Sequence, residues 1–288
     1  MTGTDWRKII DADTLALIRL ALVEDHAWQD VSTQWTVPPE KNATAILISR
    51  EKGIFCGGAL FAAAFQVFDP DLEVEVYADD GGVINPGFIA ARIQGKAAGI
   101  LPAERVALNL LGRLSGIASM AASFMEEIRG TSATICDTRK TVPLWRSWEK
   151  YAVRTGGGSN HRENLEEMVL LKDNHIAIAG GPVPALKAVK AHNQAHIPVE
   201  IEVENLEQLA QVLEEGVERI LLDNMSLEEM REAVRLTDKR AQLEASGGIR
   251  LDTVRKIAET GVDFISIGAL THSVRAFDFT LEMDLNGV

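Results

Sequence analysis

The chain has 288 residues, with 29 Lys and Arg against 42 Asp and Glu, a formal net charge of −13 at neutral pH. Its 46% hydrophobic and 25% charged residues are ordinary globular proportions, enough for one large or two ordinary domains, and they exclude disordered and collagen-like classes. The acidic balance opposes unassisted binding to nucleic acid or anionic membrane. Two cysteines, Cys56 and Cys136, are too few for a disulfide framework or a thiolate zinc site, so a reducing, cytoplasmic setting is expected.

In chain order, Asp5, Arg7, Lys8, Asp11 and Asp13 precede any apolar face, unlike a signal peptide, and the N-terminus reads as mature. Leu15, Ile18 and Leu22 at helical spacing predict an amphipathic helix over 14–24, with Asp11, Asp13 and Thr14 as candidate caps. Beyond Pro38 and Pro39, the runs 43–58 and 72–87 contain period-two alternation closed by glycines, the pattern of half-buried strands and turns. Between them 58–68 predicts a helix. This is the longest apolar stretch, and it falls short of the roughly 18 residues of a membrane span, so a soluble protein is expected. The region 1–100 is therefore mixed α+β, and Pro102 is expected to open a long helix that leads out of it, with a boundary near 100–115.

The second half repeats. Apolar runs at 199–205, 219–224, 241–248 and 263–270 end at Glu202, Asp223, Ser246 and Gly268, spaced by 21, 23 and 22 residues, with amphipathic helical stretches between them. Such a period means parallel βα units, and the absence of a GxGxxG turn favours a barrel over a doubly wound sheet. In a barrel the chemistry sits at the strand ends. Glu202 and Asp223 there could hold Mg²⁺ or hydroxyl groups, or could be two acids of an acidic surface. Ser246, Gly247, Gly248 and Gly268 suit a phosphate site, although glycines also serve tight turns.

The segment 137–162 reverses the sign of the chain: Arg139, Lys140, Arg146, Lys150, Arg154 and Arg162 stand against Asp137 and Glu149. Cations flanking a proline and three glycines favour a site for a carboxylate or phosphate over a solvated basic face. His161 and His175 match no metal spacing and read as structural hydrogen-bonders or as acids and bases. Lys172, after an apolar run, is placed at a strand end, where a buried lysine could pair with a carboxylate or form a Schiff base.

The motifs ALVEDHAWQDVST, ERVALNLLGRLSGIAS, DTRKT, EKYAVRTGGGSNHR, LLKDNH, VEIEVEN, LLDNM, LEASGGI and GVDFISIGALTHS resemble those of the quinolinate phosphoribosyltransferase family of type II phosphoribosyltransferases. The resemblance implies an α/β fold with an N-terminal sandwich domain (1–110) packed on an incomplete α/β barrel (111–272), and a C-terminal segment (273–288) returning toward the first domain. It implies a homodimer that transfers the phosphoribosyl group of 5-phosphoribosyl diphosphate to quinolinate with Mg²⁺, yielding nicotinate mononucleotide, diphosphate and CO₂. Carried over by residue, Arg105 resembles the arginine supplied across the dimer interface. Thr138, Arg139, His161, Arg162 and Lys172 resemble the grip on the ring carboxylates. Lys140 resembles the lysine at the diphosphate, and Glu202 and Asp223 the acids at ribose and metal, directly or through water. Ser246, Gly247, Gly248, Ile267, Gly268 and Ala269 resemble the 5-phosphate cradle.

Two places depart from the family pattern. Gln29 replaces a glycine, and Leu144 and Trp145 follow Pro143 where a glycine and an apolar residue are usual. A left-handed backbone at Leu144 would strain the loop by about 1–2 kcal/mol. Trp145 and Trp148 suit a hydrophobic lid, a dimer contact or plain packing. Rival readings are a paralogue with another acceptor, a Schiff-base aldolase using Lys172, and a catalytically silent phosphate-binding protein.

Overall fold

A computed structural model describes residues 9–284. Asp5, Arg7 and Lys8 lie outside them, as do the last four residues of the C-terminal segment. The chain divides after Ser119 and again after Ser273, the stretch Met120–Ser273 forming one compact unit and the flanking stretches the other.

In the flanking unit, Asp11 caps α1 (Ala12–Glu24), its Oδ1 accepting the Thr14 N–H at 2.8 Å. Ile18 and Leu22 of the predicted stripe are fully buried while Leu20 and Val23 are exposed; Leu15 is half-buried, and Thr14, a candidate cap, is buried inside the helix instead. A 3₁₀ turn (Ala27–Gln29) and α2 (Val31–Thr36) lead to β1 (Asn42–Ser49) and β2 (Gly53–Ile54). Next comes α3 (Gly58–Phe68), which buries Leu60, Phe61 and Phe65. Asp80 Oδ1 accepts the N–H groups of Gly57 and Gly58 at its start, at 3.0 and 3.2 Å. After β3 (Glu73–Val76), β4 (Val83–Ile84) and β5 (Ile89–Lys96), the chain passes straight into α4 (Ala97–Glu127).

The C-terminal strand Phe279–Asp284 completes an antiparallel sheet, pairing with β1, which pairs with β5, which pairs with β3. Just ahead of that strand the chain runs along α4 at two glycines. A Cβ on Gly116 would stand 2.3 Å from the Arg275 carbonyl oxygen, and one on Gly112 would stand 2.9 Å from that of Phe277.

Pro102 does not open α4 as expected: the helix starts at Ala97, with Pro102 inside it. The preceding residues Ala97 and Ile100 are buried, and their packing outweighs the one backbone hydrogen bond that a proline forfeits. α4 has the length and apolarity of a membrane span, but 61% of its most apolar window is buried inside the structure.

The second unit is the βα repeat. β6 (Thr134–Cys136), β7 (Val169–Leu171), β8 (Val199–Val203), β9 (Arg219–Asp223), β10 (Gln242–Ser246) and β11 (Phe264–Ser266) form a parallel sheet of order β6-β11-β10-β9-β8-β7. Between them run α5 (Arg146–Thr155), α6 (Asp173–Ala179), α7 (Pro182–His192), α8 (Leu206–Glu215), α9 (Leu227–Thr237) and α10 (Leu251–Ala258), with the short α11 (Ala269–His272) after β11. The charges of Arg219 on β9 and Glu244 on β10 act on the Cys136 thiol of β6, so these side chains lie close together. Three strand spacings of a flat sheet would separate β9 from β6 by roughly 14 Å, so the sheet curls into an incomplete barrel. β6 and β7 are its two ends, and a parallel bridge from Cys136 to Ser159 covers the β6 edge.

Candidate active site

The C-terminal strand ends carry the expected acids and glycines. Asp223 and Ser246 are direct register partners on β9 and β10. Glu202 on β8 is half-buried, and its carboxyl is pushed above the usual glutamate range by burial, then by the charge of Asp223, with Lys172 opposing. Glu202, Asp223 and Lys172 therefore share one electrostatic neighbourhood. Lys172 itself is exposed at the N-cap of α6, its backbone N–H donating to His175 Nδ1 at 3.1 Å. The buried lysine that a Schiff base would favour is not what the fold provides, and His175 is a hydrogen-bonder.

At the β10 end, Gly247 (φ +97°) and Gly248 (φ +60°) are left-handed, and a Cβ on Gly247 would come within 2.0 Å of Asn224 Oδ1. Asn224 Nδ2 in turn donates to Asp223 Oδ2 at 2.8 Å, and its backbone N–H to the Ser246 carbonyl at 3.0 Å. One asparagine thus ties the acid of β9 to the glycine turn of β10. Gly268 has an ordinary helical φ of −63°, so its glycine answers a close approach: a Cβ there would lie 3.0 Å from both Lys140 Cδ and His272 Cδ2. Thr271 Oγ1 donates to the Lys140 carbonyl at 2.8 Å, pinning the 138–140 loop over this strand end. Ile267 is buried with its N–H on the Cys136 carbonyl at 2.9 Å, and Ala269 begins α11.

The basic segment divides by role. Lys150 is buried in an ion pair with Asp137 and donates to the His161 carbonyl at 2.8 Å. Arg146 braces the loop, donating to Thr141 Oγ1 at 3.0 Å and to the Glu163 carbonyl at 2.9 Å, and Arg154 donates to Asn160. These three cations hold the loops, because each finds a partner within the segment that a count of charges cannot reveal. Arg139 and Arg162 differ: each Nε is buried without a hydrogen-bond partner. Burial, and then the charge of Arg139, pulls the Arg162 guanidinium below its usual range, so the two stand near one another. Thr138 Oγ1 accepts the Lys140 N–H at 3.1 Å, and Lys140 is exposed.

His161, expected among the cations that grip carboxylates, has both ring nitrogens engaged inside the protein. Nε2 meets Glu200 at 2.8 Å, and Nδ1 accepts the Arg162 backbone N–H at 2.8 Å. Glu200, Arg219 and Glu244 behind it were not singled out from sequence. Their signal was present, since charged residues break strands that, as buried parallel strands, should be continuously apolar. Arg105 lies exposed on α4, outside the barrel unit.

Leu144 is left-handed (φ +69°), so the conditional strain is real. The loop that holds it is fastened by Val142 N–H to Glu149 Oε2 at 3.2 Å and by Trp145 N–H to the Val142 carbonyl at 3.2 Å. Trp148 is buried edge-to-face on Tyr151, with centroids 5.6 Å apart, which is plain packing. Gln29 closes the 3₁₀ turn with its N–H on the His26 carbonyl at 2.8 Å.

An incomplete βα barrel whose strand ends gather two acids, a glycine turn, an exposed lysine and two arginines with an unpartnered buried Nε defines an enzyme class for anionic, phosphate-bearing substrates. Residues 30–115 match the family model "Quinolinate phosphoribosyl transferase, N-terminal domain", and residues 117–282 match "Quinolinate phosphoribosyl transferase, C-terminal domain". The chain belongs to the quinolinate phosphoribosyltransferase family. It is 43% identical to nicotinate-nucleotide pyrophosphorylase (carboxylating) of Mycobacterium leprae over 92% of this chain and 95% of that one. It is 42% identical to the chloroplastic enzyme of that name from Oryza sativa subsp. japonica, over 94% and 78%. The structure of nicotinate-nucleotide pyrophosphorylase from Francisella tularensis superposes with a TM-score of 0.90 at 35% identity, covering 96% of this chain and 98% of that one.

Proposed function

We propose that this protein joins the pyridine nitrogen of quinolinate to the anomeric carbon of 5-phosphoribosyl diphosphate, releasing diphosphate and CO₂ and leaving nicotinate mononucleotide. The observation that carries the acceptor is the neighbouring pair of buried, unpartnered guanidinium N–H groups of Arg139 and Arg162. Guanidinium forks match carboxylates in two-point geometry, and a buried donor without a partner costs about 1–3 kcal/mol until a ligand satisfies it.

In this reading Arg139 and Arg162, with Thr138 and Lys172, orient the two ring carboxylates, and Arg105 of a second copy of the chain completes the pocket in a homodimer. Holding the nitrogen in line with the anomeric carbon supplies much of the rate. As the bond from carbon to diphosphate breaks and the bond from nitrogen to carbon forms, positive charge builds on ribose and negative charge on the leaving group. Glu202 and Asp223 face the first and Lys140 the second. The turn Ser246, Gly247 and Gly248, and Gly268 and Ala269 just after the engaged Ile267, receive the 5-phosphate. The ring carboxylate beside the quaternary nitrogen then leaves as CO₂; its electron pair stays on the ring carbon, stabilised by that nitrogen, until a proton arrives from solvent.

Glu202 and Asp223 fit Mg²⁺, directly or through water, because they are hard oxygen donors whose mutual repulsion a divalent cation would relieve. When bound, Mg²⁺ supplies charge neutralisation at the diphosphate. A cytoplasmic setting rests on the two buried thiols, Cys56 and Cys136; plant relatives are named chloroplastic or mitochondrial.

The test compares quinolinate with nicotinate, which has one ring carboxylate, in the wild type and in Arg139→Ala. Quinolinate should be preferred by about 100-fold or more in kcat/KM, and Arg139→Ala should lower its kcat/KM by about tenfold or more. Equal use of the two acceptors would contradict the assignment.

A further inference from the structure

Beneath the mouth residues, the inner face of the barrel carries a second polar layer that the reaction does not touch. Glu200 precedes Glu202 by two residues, Glu244 precedes Ser246 by two, and Arg219 precedes Asp223 by four, so each shares a strand face with a mouth residue. Glu200 and Glu244 are completely buried. Arg219 meets Glu244 at 2.5 Å and Glu200 at 3.6 Å, and its guanidinium lies 3.7 Å above the centre of the Phe264 ring. His161 reaches into this layer, at 2.8 Å from Glu200 and 3.5 Å from Glu244.

The layer fixes one form of His161. Its Nδ1 accepts the Arg162 N–H, so that nitrogen carries no proton, and the ring proton sits on Nε2, donated to Glu200. The adjoining backbone is held as well, since the His161 N–H donates to Asp137 Oδ1 at 2.9 Å and its carbonyl accepts from buried Lys150. Arg162 therefore leaves His161 along a fixed path, and its Nη1 closes on the Met168 carbonyl at 2.8 Å. Glu200 also acts on Arg162 through charge, favouring the guanidinium that neighbouring Arg139 disfavours. His161, Glu200 and Glu244 offer ligand-type atoms within 4.8 Å of one another, but the cation there is Arg219.

We propose that Glu200, Glu244 and Arg219 are positioning residues for the acceptor: they hold His161 in the single tautomer that anchors Arg162, and so keep the Arg139–Arg162 pair set for two carboxylates. His161 in this scheme acts through Arg162 rather than on the substrate. The inference rests on the quinolinate reading above and assigns the affinity for that substrate, separately from 5-phosphoribosyl diphosphate, to a charge layer that touches neither.

The experiment measures KM for each substrate, kcat, quinolinate Kd by calorimetry, and Tm, for the wild type, Glu200→Gln, His161→Gln and the double variant. Glu200→Gln should raise quinolinate KM and Kd by about tenfold while KM for 5-phosphoribosyl diphosphate stays within about twofold. His161→Gln keeps a donor toward Glu200 but loses the acceptor for the Arg162 N–H, and should give a similar loss. Because both act through one path, the double variant should be no worse than about the larger single loss. Unchanged quinolinate affinity in Glu200→Gln, parallel loss for both substrates with a falling Tm, or multiplying effects in the double variant would each overturn the inference. Absence of quinolinate turnover by the wild type would instead remove the reaction reading beneath it.

Discussion

Leu144 shows how a single residue can carry strain without helping the core. Its φ of +69° is a conformation that costs a branched side chain about 1–2 kcal/mol, and at 75% exposure it recovers almost nothing by burial. Glycine there would remove the strain at an entropic cost of about 0.5–1 kcal/mol. Leu144→Gly should therefore raise stability by up to about 1 kcal/mol, seen as a Tm increase of about 1–3 °C in a thermal melt. A fall in Tm would mean that the exposed leucine makes a contact worth more than the strain. At the same scale, Lys150 and Arg139 show why charge in a sequence is an incomplete guide. Both belong to one basic run, yet one ends in a buried ion pair with Asp137 and the other keeps an unpartnered buried donor. The difference is made by which backbone and acids fold over them.

At the scale of the element, the strands β8 to β10 are unusual in burying acids on the same face as an arginine. The Glu244 carboxyl is held above its usual range first by burial, then by the charge of Glu200, against opposing contributions from Arg219, His161 and the Ser266 hydroxyl. Cys136 also faces Arg219 and Glu244, and burial pushes its thiol up to about 12. An acid whose native pKa is raised binds its proton more tightly folded than unfolded. Its contribution is therefore fully present below the ordinary glutamate value and is lost as pH rises to the native one. Glu244→Gln, which mimics the protonated form, should flatten that decline. Melts of the two proteins across pH 4 to 9 should show Tm of the variant falling less from the acid to the alkaline end; parallel curves would contradict the assignment. Strand β5 and the C-terminal strand were absent from the elements expected from sequence. Their identity depends on β1, their common neighbour, more than on their own alternation. Pro102 misled for a related reason, since packing of Ala97 and Ile100 decided where α4 begins.

For the molecule as a whole, the repeat was legible because each βα unit restates it. Glu202, Asp223, Ser246 and Gly268 recur at nearly constant spacing, and all four fall within two residues of the ends of their strands. The second layer of Glu200, Arg219 and Glu244 was harder to see because its meaning depends on curvature that brings β6 and β9 together. If Arg105 serves a neighbouring copy, two inactive variants should restore one another. In the proposed homodimer, mixed and reassociated Arg105→Ala and Arg139→Ala chains would form heterodimers with one intact site, and should recover about a quarter of wild-type activity. No recovery from a mixture verified to contain heterodimers would place Arg105 in its own subunit's site or outside catalysis.

The most direct measurement is the stoichiometry of nicotinate mononucleotide and CO₂ formed from quinolinate and 5-phosphoribosyl diphosphate with Mg²⁺, using carboxyl-labelled quinolinate. The two products should appear one to one, and both should fall sharply in Arg162→Ala. Mononucleotide without CO₂, or neither product from folded protein, would contradict the assignment of a decarboxylating phosphoribosyl transfer to this barrel.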